Sequence, residues 1–201
     1  MIVGVTGRKK SGKDAVGATF TGFGYTPYKV ATPLKNAAKA LFGWTDIEIE
    51  DPIIKEIVDE RYGISPRAAM QYLGHEFLWD LGSWARKGYN MDFDEKSGYN
   101  LHVMRLEEFI IANGAWKGNV VITDIRFPAE VDLIHKYRGK VIRLQRPSIL
   151  DNMTSLHASE AHYDSLSVDD EILNDSTLEV LAEKAAMLAS RYLTDYSWLD
   201  T

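Results

Sequence analysis

Residues 1–14 read MIVGVTGRKKSGKD. The opening run, apolar or small up to Gly7, predicts a strand buried on both faces. A parallel strand covered by helices carries an unbroken apolar run rather than an alternation. The next eight residues, Gly7-Arg8-Lys9-Lys10-Ser11-Gly12-Lys13-Asp14, keep the spacing G-x-x-x-x-G-K. Its glycines let the backbone curl around a phosphate with successive N–H groups pointing inward. The text from Gly12 to about Phe20 predicts a helix, whose positive end faces the same anion. Lys13 would then reach the β- and γ-phosphates of a nucleoside triphosphate. Strand, loop and helix arrive in the required order, which separates a phosphate loop from a chance glycine-rich turn. Position 14 departs from the usual pattern, carrying Asp where a Ser or Thr hydroxyl ordinarily ligates Mg²⁺. A carboxylate there acts on a metal through water or serves as a first-turn acid favoured by the helix dipole, and both readings stand.

Beyond this loop the chain alternates strand-like and helix-like text, which predicts a mostly parallel sheet with helices on both faces. Residues 28–31 read as a short second strand. Thr32-Pro33, Asp51-Pro52 and Ser65-Pro66 each place a capping side chain before a proline suited to a first helical turn, predicting helices from about 33, 52 and 66. Residues 119–125 (NVVITDI) and 140–144 (KVIRL) are β-branched strands, with a helix from Phe127-Pro128 to about Tyr137 between them. Residues 171–174 read as a last strand. Ser176-Thr-Leu-Glu179 has the form of a capping box, followed by Leu178, Leu181, Ala185, Leu188 and Tyr192 at helical spacing. Residues 87–100 read as a polar loop, and 145–170 as an irregular, lid-like stretch. One domain over 1–201 is expected, with a helical insertion at about 44–118.

The 201 residues hold 23 Lys+Arg against 29 Asp+Glu, a formal charge of −6, and no cysteine. Disulfides, thiolate zinc sites and cysteine nucleophiles are excluded, and a reducing cytoplasm is expected. No apolar run approaches the ~20 residues that cross a bilayer, and the N-terminal run has neither the basic start nor the cleavage site of a signal peptide. Bulk charge does not favour stable nucleic-acid binding, so an anionic ligand must be caught by locally placed cations. His157 and His162 are five apart, off the spacing of a helical zinc pair. Trp79 and Trp84 read as core or interface residues more readily than as base-stacking ones.

No guanine-specificity N-K-x-D is present. The strand at 120–124 ends in Asp124, suited to metal waters, followed by Ile125 rather than the Glu with which many ATP hydrolases activate water. Arg126 then stands at the strand's C-terminal end, where ligands bind in parallel sheets. A cation there suits a second phosphate, which points to a kinase. Lys35, Arg67 and Gln71, and Arg143 and Arg146 are further candidates for an acceptor pocket, a phosphoryl clamp and a cover.

The chain resembles the bacteriophage deoxynucleoside monophosphate kinase family of P-loop nucleotide kinases. The similarity is carried by GRKKSGKD (7–14), ATPLKNAAKALFG (31–43), PRAAMQYLGHE (66–76), VVITDIRFPAEVDLI (120–134), KVIRLQRP (140–147), LHASE (156–160) and EILNDSTLEVL (171–181). The resemblance implies a nucleoside-monophosphate-kinase-like fold with a lid, and transfer of the ATP γ-phosphate to a deoxynucleoside monophosphate with Mg²⁺ as cofactor. It implies that Lys10, Ser11, Gly12, Lys13, Asp14 and Ala15 hold ATP, and that Lys9, Lys35, Arg67, Gln71, Asp124, Arg126 and Glu130 surround the acceptor. Lys13, Arg126 and Arg146 would act on the transferred group, with Asp14 and Asp124 at the metal. Arg146 and the segment through His157 and Glu160 would belong to the cover. An Arg expected after the LGxE text is replaced by Leu78-Trp79-Asp80, with Arg86 as a candidate substitute. A P-loop kinase of another small acceptor, such as dephospho-coenzyme A, a sugar or shikimate, remains the alternative, as does a non-catalytic nucleotide-binding module. Host cytoplasm is the expected location, and exposed aromatics leave a homodimer open.

Overall fold

A computed structural model gives the fold and describes residues 1–77, 101–114, 118–147 and 163–196. Its elements, in chain order, begin with β1 (Ile2–Gly7), α1 (Lys13–Gly22), β2 (Thr26–Tyr28), α2 (Thr32–Phe42), α3 (Asp46–Glu50) and α4 (Pro66–Gln71). There follow α5 (Leu101–Asn113), β3 (Val120–Ile125), α6 (Pro128–Lys136), β4 (Lys140–Gln145), β5 (Asp170–Leu173) and α7 (Leu178–Tyr196). The chain divides into two compact units, Met1–Val30 with Val103–Thr201, and Ala31–His102.

The first unit is the sheet and its helices. Five strands pair in parallel in the order β2-β3-β1-β4-β5, so β1 is central. Two-residue periodicity sorts its side chains onto two faces. Ile2, Val120, Ile122 and Val141 pack with Val103, Leu106 and Ile110 of α5 and with Val131 and Ile134 of α6. Val3, Val5, Val121, Ile142 and Leu144 pack with Val16 and Phe20 of α1 and with Leu181, Ala185, Ala189 and Tyr192 of α7. Both faces are therefore covered, which is why these strands read as continuous apolar runs. The α1–β3 contact is close: a β-carbon at Gly17 would lie 2.3 Å from the Thr123 methyl.

The second unit is helical over its described residues. Trp44 stacks on Phe42 at 4.2 Å, Tyr62 meets both edge-on, and Ala38, Trp44, Ile49 and Ala69 form a small core. The Trp44 indole N–H donates to Asp59 at 2.6 Å, so its one polar atom is satisfied.

Several boundaries differ from the sequence expectations, each for a local reason. No α-helix starts at Pro52. The Asp51 carboxylate accepts from the amides of Ile53 and Ile54 at 2.8 and 2.9 Å and closes only a 3₁₀ turn at Ile54–Glu56. The helix lies earlier, at α3, where Thr45 and Glu48 form a reciprocal capping box. The second strand is Thr26–Tyr28, not 28–31, because the Val30 amide leaves the ladder to donate to Asp124 at 2.7 Å. The α7 cap is Thr177, whose hydroxyl accepts from Val180, so Leu178 falls outside the buried stripe and is exposed. Helix α5 falls within the helical insertion expected at about 44–118, and Val103, Leu106 and Ile110 keep its periodicity. Trp79, Trp84, Arg86, His157, Glu160 and His162, residues 78–80 and 87–100, and most of the lid-like stretch lie outside the described residues.

The corner between β3 and α6 is capped by Glu130, 3% exposed, whose Oε2 accepts from the amides of Arg126 and Phe127 at 2.7 and 3.0 Å. Burial outweighs these bonds and pushes its carboxyl from an ordinary 4.5 up to about 7. The folded state therefore holds this proton more tightly than the unfolded chain, so the contribution is full below about pH 4.5 and is lost as pH rises to about 7. Relative to Glu130→Gln, which does not titrate, the unaltered chain should lose about 3 kcal/mol of stability across that window. Urea unfolding of both proteins at several pH values checks this, and parallel curves would refute it.

Candidate active site

All five strands run the same way, so their C-terminal ends share one edge, and the crevice lies where connections depart to opposite sides of β1. The loop from β1 into α1 sits there. Gly12 is left-handed at φ 103° and caps α1 without a side-chain hydrogen bond. A β-carbon at Gly12 would lie 2.7 Å from Leu181 Cδ2 and 3.0 Å from Asn174 Nδ2, and one at Gly7 would lie 2.5 Å from Ser11 Oγ. A side chain at Gly12 would be strained whatever the space, and one at Gly7 would force the Ser11 hydroxyl to move. Lys10 is also left-handed, at φ 66°, which costs a non-glycine residue roughly 1–2 kcal/mol. The Arg146 guanidinium donates to the Lys10 carbonyl at 3.0 Å and braces that strained peptide.

Within the loop, the Lys13 ammonium donates to the carbonyls of Gly7 and Arg8 at 2.5 and 2.8 Å, so it lies folded over the loop from which it would reach phosphate. Ser11 is buried, and its hydroxyl has no hydrogen-bond partner among the described residues. Lys9 and Lys10 are exposed, and Ala15 is half-buried in the first turn of α1.

Two consecutive residues after β2 organise the two candidate metal carboxylates. Lys29 pairs with Asp14 at 2.7 Å, and the Val30 amide donates to Asp124 at 2.7 Å. Asp14 is 82% exposed on its side chain, and no cluster of three or more His, Asp or Glu able to hold an ion occurs among the described residues. Two hard oxygen donors without a protein cage fit Mg²⁺, which keeps most of its waters and shares substrate phosphates. Arg126 is exposed at the same edge, following β3.

Lys35, Arg67 and Gln71 belong to the second unit. Lys35 in α2 pairs with both Glu50 oxygens at 2.8 and 2.7 Å, and Arg67 in α4 pairs with Glu56 at 2.9 Å. Arg67 and Gln71 are one turn apart on α4. Each cation thus sits beside a carboxylate that a phosphate would have to displace.

The sequence did not reveal Tyr163 or Asn174, and it read Arg143 as a clamp or cover candidate. Arg143 is a brace rather than a solvated cation: it donates to Glu171 at 2.9 Å and to the carbonyls of Tyr163 and Leu166 at 3.3 and 2.6 Å. Tyr163 lies under both Arg8 and Arg143, its ring 4.8 and 5.4 Å from the two guanidinium carbons, and its hydroxyl donates to the Leu144 carbonyl at 2.9 Å. Asn174, just past β5, donates from Nδ2 to the Ser11 carbonyl at 2.9 Å.

No protein-family model matches the chain. It is 32% identical, over 185 residues, to an Acanthamoeba polyphaga mimivirus protein named "Putative deoxynucleotide monophosphate kinase", covering 89% of this chain and 91% of that one. Among solved structures, shikimate kinase from Aquifex aeolicus aligns over 98% of this chain and 99% of its own, with TM-score 0.48 and 14% identity. Dephospho-CoA kinase from Campylobacter jejuni aligns over 94% and 96%, with TM-score 0.48 and 17% identity. The fold itself rests on the sheet order and the loop geometry above. With the viral relative matched along most of both chains, this chain belongs to the deoxynucleotide monophosphate kinase family.

Proposed function

We propose that the chain transfers the γ-phosphoryl group of ATP to a deoxynucleoside 5′-monophosphate, giving the diphosphate and ADP. The observation that carries this reading is the GRKKSGKD loop, set between central β1 and α1 at the ligand edge of the sheet, with Arg126 at the same edge. A hydrolytic NTPase needs no second phosphate site, whereas a kinase with a phosphorylated acceptor does. The family relationship supports the nucleotide as acceptor.

In this reading an oxygen of the acceptor phosphate attacks the γ-phosphorus in line, and the bond from phosphorus to the β–γ bridging oxygen breaks, leaving ADP. The attacking oxygen is already anionic, so no general base is assigned. The loop amides and the positive end of α1 hold the β- and γ-phosphates. Lys13 leaves the carbonyls of Gly7 and Arg8 to follow charge onto the leaving oxygen. Within the first unit, Arg126 orients the acceptor phosphate and Lys9 adds a cation from the phosphate loop. Arg146 keeps the loop in register through Lys10 while facing the transferred group. Asp14 and Asp124 would hold Mg²⁺ through water, and the ion when bound supplies positive charge to the phosphate oxygens.

The direct test is ADP formation from Mg-ATP with dAMP, dCMP, dGMP, dTMP and their ribo counterparts, one at a time, alongside dephospho-coenzyme A and shikimate. Turnover with a deoxynucleotide and not with the alcohols is expected; turnover only with an alcohol would move the assignment to another small-acceptor kinase. In the active assay, Lys13→Ala should fold normally and lose about a hundredfold or more in kcat. A wild-type rate would sink the loop assignment. Arg126→Ala should raise KM for the monophosphate roughly ten- to a hundredfold while leaving KM for ATP near its original value, as loss of a charge-assisted hydrogen bond to one substrate requires. Equal changes in both constants would remove Arg126 from the acceptor site.

A further inference from the structure

We propose that Asn174 is a positioning residue for the phosphate loop, fixing the Ser11–Gly12 peptide so that its N–H faces the nucleotide. This rests on the proposed function only in taking the loop as the ATP phosphate site. Asn174 is 6% exposed, and its Nδ2 donates to the Ser11 carbonyl at 2.9 Å in a buried bond between residues 163 positions apart. A peptide is planar, with its C=O and N–H pointing in opposite directions. Drawing the Ser11 oxygen toward β5 therefore turns the Gly12 N–H away from it, toward the cradle side of the loop. A phosphate loop works by such directed amides, and one reversed peptide would present a carbonyl oxygen to an anion.

Asn174 is itself held. Its backbone N–H donates to the Gln145 carbonyl at 2.7 Å, which ties it to the end of β4. On its flanks, the Lys184 ammonium donates to the Leu173 carbonyl at 2.7 Å and to Asp175 at 3.1 Å, which anchors the strand exit to α7. Gly12 leaves the room: a β-carbon there would stand 3.0 Å from Nδ2. The side-chain amide thus reaches the loop from a rigid sheet end, as orienting groups do around catalytic sites.

The test compares the unaltered chain with Asn174→Ala and Asn174→Asp. Calorimetric titration with ATP and with ADP, and steady-state KM for both substrates, are measured on proteins checked for folding by circular dichroism and melting temperature. Asp matches Asn in shape but cannot donate when ionised. If orientation is the role, both variants weaken ATP binding about tenfold or more and leave the KM for the monophosphate within about twofold. Asn174→Asp is then no better than Asn174→Ala. If Asn174 only fills space, the isosteric Asn174→Asp binds ATP like the unaltered chain, and that result overturns the inference. Parallel changes in both KM values overturn it as well. Should the unaltered chain bind neither ATP nor ADP, the proposed function falls and this inference with it. Normal binding by the unaltered chain and by both variants defeats the inference alone.

Discussion

At Gly12 the backbone takes φ 103°, and the space where a side chain would stand is already filled by Leu181 and Asn174. Four elements meet there: β1 ends, α1 begins, β5 delivers Asn174 and α7 delivers Leu181. A residue with a β-carbon would face both the steric cost of the left-handed region and a 2.7 Å clash with Leu181. The tightness has a chemical reason. An anion is held at a helix start only when the first amides converge on it, and convergence needs a loop short enough that every peptide direction matters. The bracing of Lys10 by Arg146 and of Ser11 by Asn174 follows from the same need.

The electrostatics are local. A chain of net charge −6 cannot gather nucleotides by its overall field, yet the ligand edge of the sheet carries Arg8, Lys9, Lys10, Lys13, Lys29, Arg126 and Arg146. Several of these cations, and Lys35 and Arg67 in the second unit, are paired with carboxylates: Arg8 with Asp164, Lys29 with Asp14, Lys35 with Glu50, Arg67 with Glu56. Such exposed pairs contribute about 0–1 kcal/mol. A charge-assisted bond to phosphate in a more enclosed site contributes roughly 1.5–3 kcal/mol. Under the proposed function, exchange of a carboxylate for phosphate at such a cation would be favourable.

What the sequence displayed was local and periodic. β1, β3 and β4 stood out because burial on both faces forces an apolar run, and the loop stood out because its glycines and lysine lie within eight consecutive residues. β2 was misplaced because three residues at a sheet edge carry little pattern and its end is set by the bond from Val30 to Asp124, distant in sequence. The helix expected at Pro52 failed because an Asp before Pro satisfies a turn as readily as a helix start. The α7 cap slipped by one residue since Ser176 and Thr177 are equally able to cap. Asn174 was invisible as a site residue for a different reason: it read as the last residue of a strand, and nothing in its neighbours reports a partner at Ser11. Arg143 read as a clamp or cover candidate, whereas it braces the carbonyls of residues 163 and 166 across an irregular stretch.

The departure at position 14 acquires a physical setting from the end of β2. A carboxylate in the first turn of α1 is favoured by the helix dipole, yet it stands beside the place where a triphosphate would bring several negative charges. Lys29 offsets that charge at 2.7 Å. The next residue, Val30, orients Asp124 through its amide. The exit of one short edge strand thereby contacts both carboxylates, one by an ammonium and one by a backbone donor. Asp124 accepts from the backbone amide of Val30, which fixes the orientation of its carboxylate. The ion pair of Asp14 with Lys29 is exposed, and replacing it costs about 0–1 kcal/mol. A hydroxyl at position 14 would need no such partner. The carboxylate does, and the chain supplies it from the strand that the sheet order places two positions from β1.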